Sequence, residues 1–239
     1  MCGRYATFGP VSLSREARDV LAELELDLVS EINQRDDQFN IAPTQRAPVV
    51  LRAEDGVRFE LLRWGLIPSW ARDTKIGGKT INARAETVET KPAFRAAFKK
   101  RRCLVPASGY YEWTGTPGSK QPYFIHDPAG ELMMFAGLWE SWRAAENDPP
   151  LRTFTVITGE PGKVSGDIHD RQPVILPPDL WEVWLNGTAD EANATLQVVP
   201  RAALACHPVG KSVSSPRNNA PELIEPITLD PPPEPGTLL

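Results

Sequence analysis

Apolar residues recur at helical spacing in four stretches of this chain. In the longest, residues 12–28, one face carries Leu13, Ala17, Val20, Leu21 and Leu24. This periodicity predicts an amphipathic helix. Shorter helices are predicted at 92–102, at 178–185 and after Thr188, where Glu191 completes a capping box.

The other apolar runs are short and are separated by turns. They predict strands at 47–51, 57–63, 103–106, 110–113, 122–126, 131–138, 152–158 and 173–176. Strand and helix do not alternate as they do in a doubly wound sheet. The pattern therefore predicts an α+β fold with a curved, mostly antiparallel, barrel-like sheet and peripheral helices. We expect one domain over residues 1–229 and a disordered Pro-rich tail over residues 230–239.

The composition is typical of a soluble globular protein, with 41% hydrophobic and 24% charged residues among 239. No apolar run reaches the roughly 18 residues that a membrane span needs. No signal-peptide pattern precedes Cys2, so we expect an intracellular monomer without membrane contacts. Three cysteines and three histidines are too scattered for a disulfide framework or a zinc site, so we expect no metal and no cofactor.

The net charge of −5 is distributed unevenly. Residues 63–102 hold eleven Lys or Arg and three Asp or Glu, a net charge of +8, which leaves −13 for the remaining residues. A basic stripe on an acidic body is typical of a protein that binds a polyanion. The basic residues at 99–102 have an alternative explanation, because positive charge at the end of a helix complements its dipole.

Cys2 is the most informative single residue. It follows Met1, and a small second residue normally allows Met1 to be removed, which would leave an α-amine and a thiol on adjacent carbons of Cys2. The amine condenses with an aldehyde to a Schiff base, and the thiol closes on the same carbon to give a thiazolidine ring. The two groups titrate at roughly 7.7–8.0 and about 8.5. The alternative is that Cys2 merely begins a strand.

Several other residues have both a structural and a chemical interpretation. Glu112, among three aromatic neighbours, is either a solvent-facing strand carboxylate or a desolvated acid suited to proton transfer. His169 is either a surface-loop residue or a catalytic one, and either flanking aspartate could raise its pKa. Trp70 lies in a turn beside an arginine, as in proteins that stack bases and grip phosphates. Trp64 fits a core position.

Together these segments resemble the SOS response-associated peptidase (SRAP) family over nearly the whole chain. The matching motifs, in family order, are Met-Cys-Gly-Arg (1–4), Asn-Ile-Ala-Pro-Thr (40–44), Trp-Gly-Leu-Ile-Pro-Ser-Trp (64–70), Asn-Ala-Arg-Ala-Glu-Thr (82–87), Arg-Arg-Cys-Leu-Val-Pro-Ala-Ser-Gly-Tyr-Tyr-Glu-Trp (101–113), Lys-Gln-Pro-Tyr-Phe-Ile (120–125), Ala-Gly-Leu-Trp-Glu (136–140), Ile-His-Asp-Arg-Gln-Pro-Val-Ile-Leu (168–176) and Val-Ser-Ser-Pro-Arg-Asn-Asn (213–219). No motif is decisive alone, but the ordered set is highly specific.

The resemblance implies a sensor of abasic sites in single-stranded DNA. The family's N-terminal cysteine, here Cys2 after removal of Met1, attacks the ring-opened deoxyribose aldehyde and forms a thiazolidine crosslink that shields the lesion. By the same resemblance, Asn82 contacts the cysteine and the sugar, Glu112 assists proton transfer, and His169 acts on the sugar oxygen. Phosphate contacts are assigned to Arg4, Arg84 and Arg171, and the DNA channel to Asn40, Pro43 and Trp70.

Two alternatives and one departure remain. An N-terminal cysteine near Asn82 and Glu112 also fits a peptidase or amidohydrolase in which the α-amine activates the thiol. In the family such peptidase activity is self-directed, toward the residues ahead of Cys2. A noncatalytic nucleic-acid-binding module is the other alternative. Gln172 stands where many members carry Met or Arg, which puts the DNA contacts in doubt more than the chemistry.

Overall fold

The computed structural model describes residues 2–116 and 118–229. The predicted disordered tail at 230–239 lies outside these residues. The strands are β1 (Tyr5–Thr7), β2 (Gln38–Ile41), β3 (Arg46–Ala53), β4 (Gly56–Trp64), β5 (Asn82–Arg84), β6 (Arg102–Ala107), β7 (Gly109–Thr114), β8 (Gln121–His126), β9 (Met133–Trp142), β10 (Leu151–Gly159), β11 (Gln172–Pro173) and β12 (Ala205–Pro208). The helices are α1 (Arg15–Glu23), α2 (Leu28–Asn33), α3 (Arg95–Lys100), α4 (Lys163–Gly166), α5 (Trp181–Asn186) and α6 (Ala189–Val198). Short 3-10 turns span Thr74–Lys79, Pro178–Leu180, Lys211–Ser214 and Pro221–Leu223.

Five strands close into a barrel. The order is β10-β4-β3-β6-β9, and β9 pairs again with β10 to complete the ring. The β4–β10 pairing is parallel, whereas the other four pairings of the ring are antiparallel. β5 adds to β10 in parallel and β11 adds in antiparallel. The predicted barrel-like, mostly antiparallel sheet with peripheral helices is therefore confirmed.

A second, antiparallel sheet follows the order β12-β8-β7-β1-β2. The chain passes from the barrel into this sheet through Ser108 alone, between β6 and β7. Gly109 is required at this corner, because a Cβ there would lie 2.1 Å from the Phe124 ring. The two sheets are thus joined tightly beside the first residues of the chain.

Alternating side chains on the barrel strands fill two cores. One face contributes Trp64, Phe135 and Phe154 to a cluster that also contains Cys2. The opposite face packs against the helices, so the cluster with Cys2 is the barrel interior. The core interpretation of Trp64 is confirmed, since its side chain is fully buried.

All eight predicted strands form. Two differ in length: β9, predicted to end at residue 138, continues to Trp142, and β11, predicted over 173–176, contains only Gln172 and Pro173. The single helix predicted over residues 12–28 is wrong. It ends at Glu23, Glu25 adopts a left-handed φ of 53°, and a second helix begins after Asp27, whose carboxylate accepts a hydrogen bond from the Ser30 amide at 3.1 Å. The helix predicted from Pro92 begins at Arg95, and the predicted capping box of Thr188 and Glu191 is present. In the described part of the chain, no helix is both long and apolar enough to cross a membrane.

Candidate functional site

A cleft of about 800 Å³ opens over the second sheet, close to the start of the chain. Its lining comprises Gly3, Arg4, Glu112, Trp113, Gly118, Lys120, His169, Lys211 and Ser214. These residues come from the entry to β1, from β7, from the turn before β8, from the loop after α4 and from the 3-10 turn at Lys211–Ser214. A separate cavity of about 420 Å³ beside α2 contains none of the predicted site residues.

Cys2 directly precedes two residues of this lining, Gly3 and Arg4, and is fully buried. Its Sγ lies 3.8 Å from the Arg4 carbonyl oxygen, which accepts a weak hydrogen bond from the thiol. Burial raises the pKa of the Cys2 thiol well above its usual range, with a further contribution from the charge of Glu112. The thiol is therefore protonated at neutral pH and is not a preformed thiolate.

Asn82 fixes the main chain of Cys2. It lies on β5, where it pairs with Val156 of β10, and its Nδ2 donates a hydrogen bond to the Cys2 carbonyl at 2.7 Å. The structure thus brings together two residues that are far apart in sequence and that the family resemblance placed in one site.

Glu112 is a buried acid and not a solvent-facing strand carboxylate. It lies on β7 and is 3% exposed, although it lines the cleft. Burial raises the pKa of its carboxyl to about 7, because the charged form loses its hydration. A carboxyl that titrates near neutral pH can both give and take a proton in the cell.

His169 also lines the cleft, from the loop between α4 and β11. The buried hydroxyl pair of Tyr110 and Ser165, 2.7 Å apart, holds α4 against β7 and so positions this loop. The Nδ1 of His169 accepts a hydrogen bond from the Arg171 amide at 3.0 Å, and Asp170 Oδ1 lies 2.8 Å from the same nitrogen.

These two contacts require opposite protonation states of Nδ1. The amide of Arg171 needs a lone pair there, whereas pairing with Asp170 needs a proton. Burial lowers the pKa of His169 and outweighs the opposing effect of Asp170, whose side chain is 86% exposed. We therefore assign the neutral ring, with Nδ1 as acceptor and the proton on Nε2.

Arg4 and Asn40 are both engaged by the C-terminal segment. The Arg4 guanidinium donates to Asn40 Oδ1 and to the Val213 carbonyl, each at 2.8 Å, and lies 5.9 Å from the Trp113 ring. Burial lowers the pKa of Arg4. The amide nitrogen of Asn40 donates to the carbonyls of Val213, Ser215 and Asn218. Asn40 is 3% exposed, so it lies beneath the cleft wall and organises it.

The remaining residues predicted to bind DNA are less closely grouped. Arg171 forms a two-point ion pair with Glu86, at 2.6 and 2.9 Å, and only 12% of its side chain is exposed. Arg84 on β5 is exposed, Trp70 is 60% exposed, and Pro43 lies in the turn between β2 and β3. None of these four lines the cleft that contains Glu112 and His169. Their contacts with DNA stay predictions.

The basic stripe at 63–102 is not one continuous surface. Arg102 is 4% exposed and donates to the carbonyls of Phe98, Trp184 and Gly187, so it ties two helices to the barrel. Arg101 pairs with Glu140 at 2.6 Å. The alternative explanation for residues 99–102, a helix-end role, fits these contacts.

Besides two glycines, sequence reasoning missed four residues of the cleft lining: Trp113, Lys120, Lys211 and Ser214. Trp113 and Lys120 lie inside family motifs, so the sequence could have assigned both to the site. Ser214 also lies in a family motif, at 213–219, whereas Lys211 carries no local signal, because a turn late in the chain brings it to the site. Trp113 Nε1 donates to Ser214 Oγ at 3.2 Å and joins the two walls.

Gln172, the residue that departs from the family pattern, has a structural role. Gln172 is buried, and its Oε1 accepts a hydrogen bond from the Gly162 amide at 2.8 Å. The departure from the family pattern is therefore accommodated inside the fold, where it supports the start of α4. Within residues 2–116 and 118–229, no group of three or more His, Cys, Asp or Glu side chains is arranged to hold a metal ion.

Comparison with known proteins gives a consistent result. The family described as "SOS response associated peptidase (SRAP)" matches residues 1–216. The abasic site processing protein YoqW of Bacillus subtilis is 39% identical over 229 residues, which is 94% of this chain and 99% of that protein. The abasic site processing protein HMCES of Gallus gallus is 31% identical over 98% of this chain and 80% of its own length.

Solved structures show the same fold. A Bacteroides thetaiotaomicron protein superposes with a TM-score of 0.76 at 24% identity, covering 94% of this chain and all of its own. A phage-related protein of Bordetella bronchiseptica has a TM-score of 0.64 at 30% identity, over 87% of this chain and 94% of its own.

Proposed function

This chain belongs to the SOS response associated peptidase (SRAP) family, and from that premise we propose that it captures abasic sites in single-stranded DNA covalently, through Cys2, once Met1 has been removed. Its function is abasic-site processing, as its curated relatives are named. One observation carries the covalent proposal: Glu112, a buried carboxyl whose pKa is about 7, and a neutral His169 line the same cleft. The main chain of Cys2, held by Asn82, lies beside them.

The first step opens the sugar. An abasic deoxyribose is mostly a closed hemiacetal, and only its open aldehyde reacts with an amine. Neutral His169 donates a hydrogen bond from Nε2 to the ring oxygen as the bond from that oxygen to C1′ breaks, while the proton of the hydroxyl on C1′ passes through the Glu112 carboxylate to the ring oxygen and the aldehyde forms. Glu112, which titrates near neutral pH, is the acceptor on the same cleft. Positioned acid–base groups typically accelerate such transfers by about 10²–10⁴-fold.

The second step joins the protein to the sugar. The unprotonated amine of Cys2 attacks C1′ to give a carbinolamine, protonated Glu112 helps the hydroxyl leave as water, and an imine remains. The thiol sulfur then bonds to C1′, and its proton passes to the imine nitrogen. One water molecule is released overall, and the product is a five-membered thiazolidine. A thiol of raised pKa suits this step, because its proton is delivered to nitrogen and no free thiolate is needed.

Related chemistry follows from the same groups. The imine can also lose its C2′ proton to a base such as Glu112, which expels the 3′ phosphate and gives strand cleavage of the lyase type.

We assign the peptidase activity in the family's name to removal of Met1 by the chain itself. The alternative of a cysteine hydrolase acting on other peptides has less support, because activated catalytic thiols have lowered pKa values and burial raises that of Cys2.

The decisive test uses the purified protein and a single-stranded oligonucleotide with one abasic site. We expect a slowly migrating band on a denaturing gel, with a mass equal to protein plus DNA minus one water. The same oligonucleotide, reduced beforehand with borohydride, has no aldehyde and is the matched control. Absence of the band with the unreduced abasic strand, for protein whose first residue is shown to be Cys2, would overturn covalent capture.

A separate prediction concerns the DNA residues that lie outside the cleft. Arg84→Ala is expected to lower the salt dependence of noncovalent binding by about 0.7 in slope, the value for one phosphate on a single strand. Trp70→Ala is expected to weaken binding by on the order of 1–3 kcal/mol, the range for one base–aromatic contact, without changing the slope. Fluorescence anisotropy across salt concentrations distinguishes the two effects, and parental affinity and slope in both variants would contradict these assignments.

An intracellular location and a monomeric state remain predictions. Size-exclusion chromatography with light scattering, with and without a single-stranded oligonucleotide, tests the second. A dimer in both conditions would show that the monomer prediction is wrong.

A further inference from the structure

Two lysines, Lys120 and Lys211, line the cleft at one end of the second sheet. β8 and β12 pair so that Ala205 faces His126 and Pro208 faces Tyr123. Contacts continue beyond the strands, since the Val209 amide donates to the Pro122 carbonyl at 3.0 Å and Gln121 Nε2 donates to the Val209 carbonyl at 2.8 Å. The next residues outward are Lys120 on one chain segment and, beyond Gly210, Lys211 on the other.

Both lysines line the cleft and both are exposed. Two positive charges on one surface repel each other. Neither ammonium forms an ion pair or hydrogen bond with a described residue, and the carboxyl of Glu112, whose pKa Lys120 lowers, is buried and only partly charged at neutral pH. Two unneutralised cations on one concave surface favour an anionic ligand there.

The arginines nearest this cleft have other partners. The Arg4 guanidinium is held by Asn40 and a main-chain carbonyl, and Arg171 is neutralised by Glu86. A phosphate that approaches the cleft meets the two lysines as the unpaired cations of its lining. Lysine binds phosphate as a flexible point charge and needs no fixed geometry.

We propose that Lys120 and Lys211 form a clamp that binds the backbone phosphate beside the abasic sugar and thereby places C1′ next to Cys2. This inference rests on the proposed function and names the residues that recruit its substrate. The clamp is built from the turn before β8 and from the C-terminal 3-10 turn, which Asn40 anchors through three carbonyls.

Lys120 also acts on the acid–base pair. Its positive charge lowers the pKa of Glu112 and that of His169. The other charges that act on this pair are Asp170, which raises both pKa values, and the α-ammonium of the chain, which lowers both; Arg4 and Lys211 share the cleft lining. A bound phosphate partly neutralises Lys120, so substrate binding raises both pKa values and favours the protonated forms.

The test compares Lys120→Met, Lys211→Met, the double variant and Arg18→Met, which removes one exposed positive charge from α1. Binding of an undamaged single-stranded oligonucleotide is measured by anisotropy from low to high salt. We expect each lysine variant to lower the salt slope by about 0.7 and the double variant to lower it by about 1.4. Arg18→Met should keep the parental slope. A double variant with the parental slope would overturn the clamp.

Capture kinetics separate this inference from the proposed function. Removal of Lys120 is expected to shift the pH profile of capture upward, because the pKa values of Glu112 and His169 both rise, whereas Lys120→Arg should restore both the slope and the profile. If the parent captures no abasic site but the double variant loses its salt slope, the clamp stands and covalent capture is wrong. If the parent captures the lesion and the double variant binds and captures at parental rates, the clamp is wrong and the proposed function stands.

Discussion

Replacing Cys2 by serine is expected to abolish the stable adduct with an abasic strand. The variant keeps the α-amine, so an imine can still form, but the hydroxyl closes the ring poorly and the imine hydrolyses. Borohydride should therefore trap an adduct in Cys2→Ser, while no band survives heating without it. The site favours this outcome, because Asn82 holds the main chain of the buried Cys2, and neither Cys103 nor Cys206 is among the cleft-lining residues.

Two controls sharpen the result. Cys206→Ser changes an exposed cysteine on β12 and should leave capture unchanged. A tag fused ahead of Cys2 converts the amine into an amide and should abolish both the adduct and the borohydride-trapped species. A heat-stable crosslink of parental yield from the tagged protein would show that the amine of Cys2 is not the nucleophile.

Glu112→Gln and His169→Ala are each expected to slow capture by about 10²–10⁴-fold, the usual contribution of a positioned acid or base. The glutamine keeps the size and polarity of the side chain and removes only its proton exchange. The affinity for undamaged strands should change little, because neither change removes a cation. Single-turnover gel assays with excess protein give the rates.

The pH dependence of the parent follows from the directions of the pKa shifts. The amine attacks only when unprotonated, so the rate rises as pH approaches the ordinary amine range of roughly 7.7–8.0. Glu112 assists water loss only when protonated, and its pKa of about 7 makes the rate fall above neutrality. The profile is therefore a bell, and Glu112→Gln should lose the descending limb. His169, with a lowered pKa, should contribute a limb on the acidic side that His169→Ala lacks.

Stability measurements distinguish a catalytic role of Glu112 from a structural one. The pKa of a glutamate carboxyl is about 4.3 in the unfolded chain, and burial raises it in the folded protein. As the pH rises from the unfolded to the folded pKa, the folded state becomes less stable, because it disfavours the buried charge. Glu112→Gln removes that charge, so its melting temperature at pH 8 should equal or exceed that of the parent. Parental capture rates in both variants between pH 5.5 and 8.5 would contradict the catalytic assignment and leave Cys2 as a reactive aminothiol in a groove.

The strands with clear apolar patterning were predictable from sequence, and the shortest ones were not. β10 contains a run of β-branched and aromatic residues that predicts a buried strand. β1 and β5 have three residues each, too few for a periodic signal, and exist because long-range partners pair with them. The helix predicted over residues 12–28 failed because apolar spacing continues across Glu25, where the backbone reverses.

The site was predictable as far as local motifs reach. The burial of Glu112 depends on the tertiary packing around β7, so sequence left two interpretations open. Asn40 was assigned to the DNA channel by resemblance, yet its amide serves three carbonyls of residues far along the chain. Lys211 was missed for the same reason, since only the tertiary fold brings the C-terminal turn to Lys120.

β10 has hydrogen-bonded neighbours along both edges. β9 follows one edge from Leu151 to Val156, while β4, β5 and then β11 share the remaining positions. Amides in such a strand exchange with solvent only when much of the molecule opens. Asn82 lies on β5, and the loop of His169 leads directly into β11, so both are attached to this strand. We therefore expect the residues around Cys2 to open together with the barrel and not ahead of it.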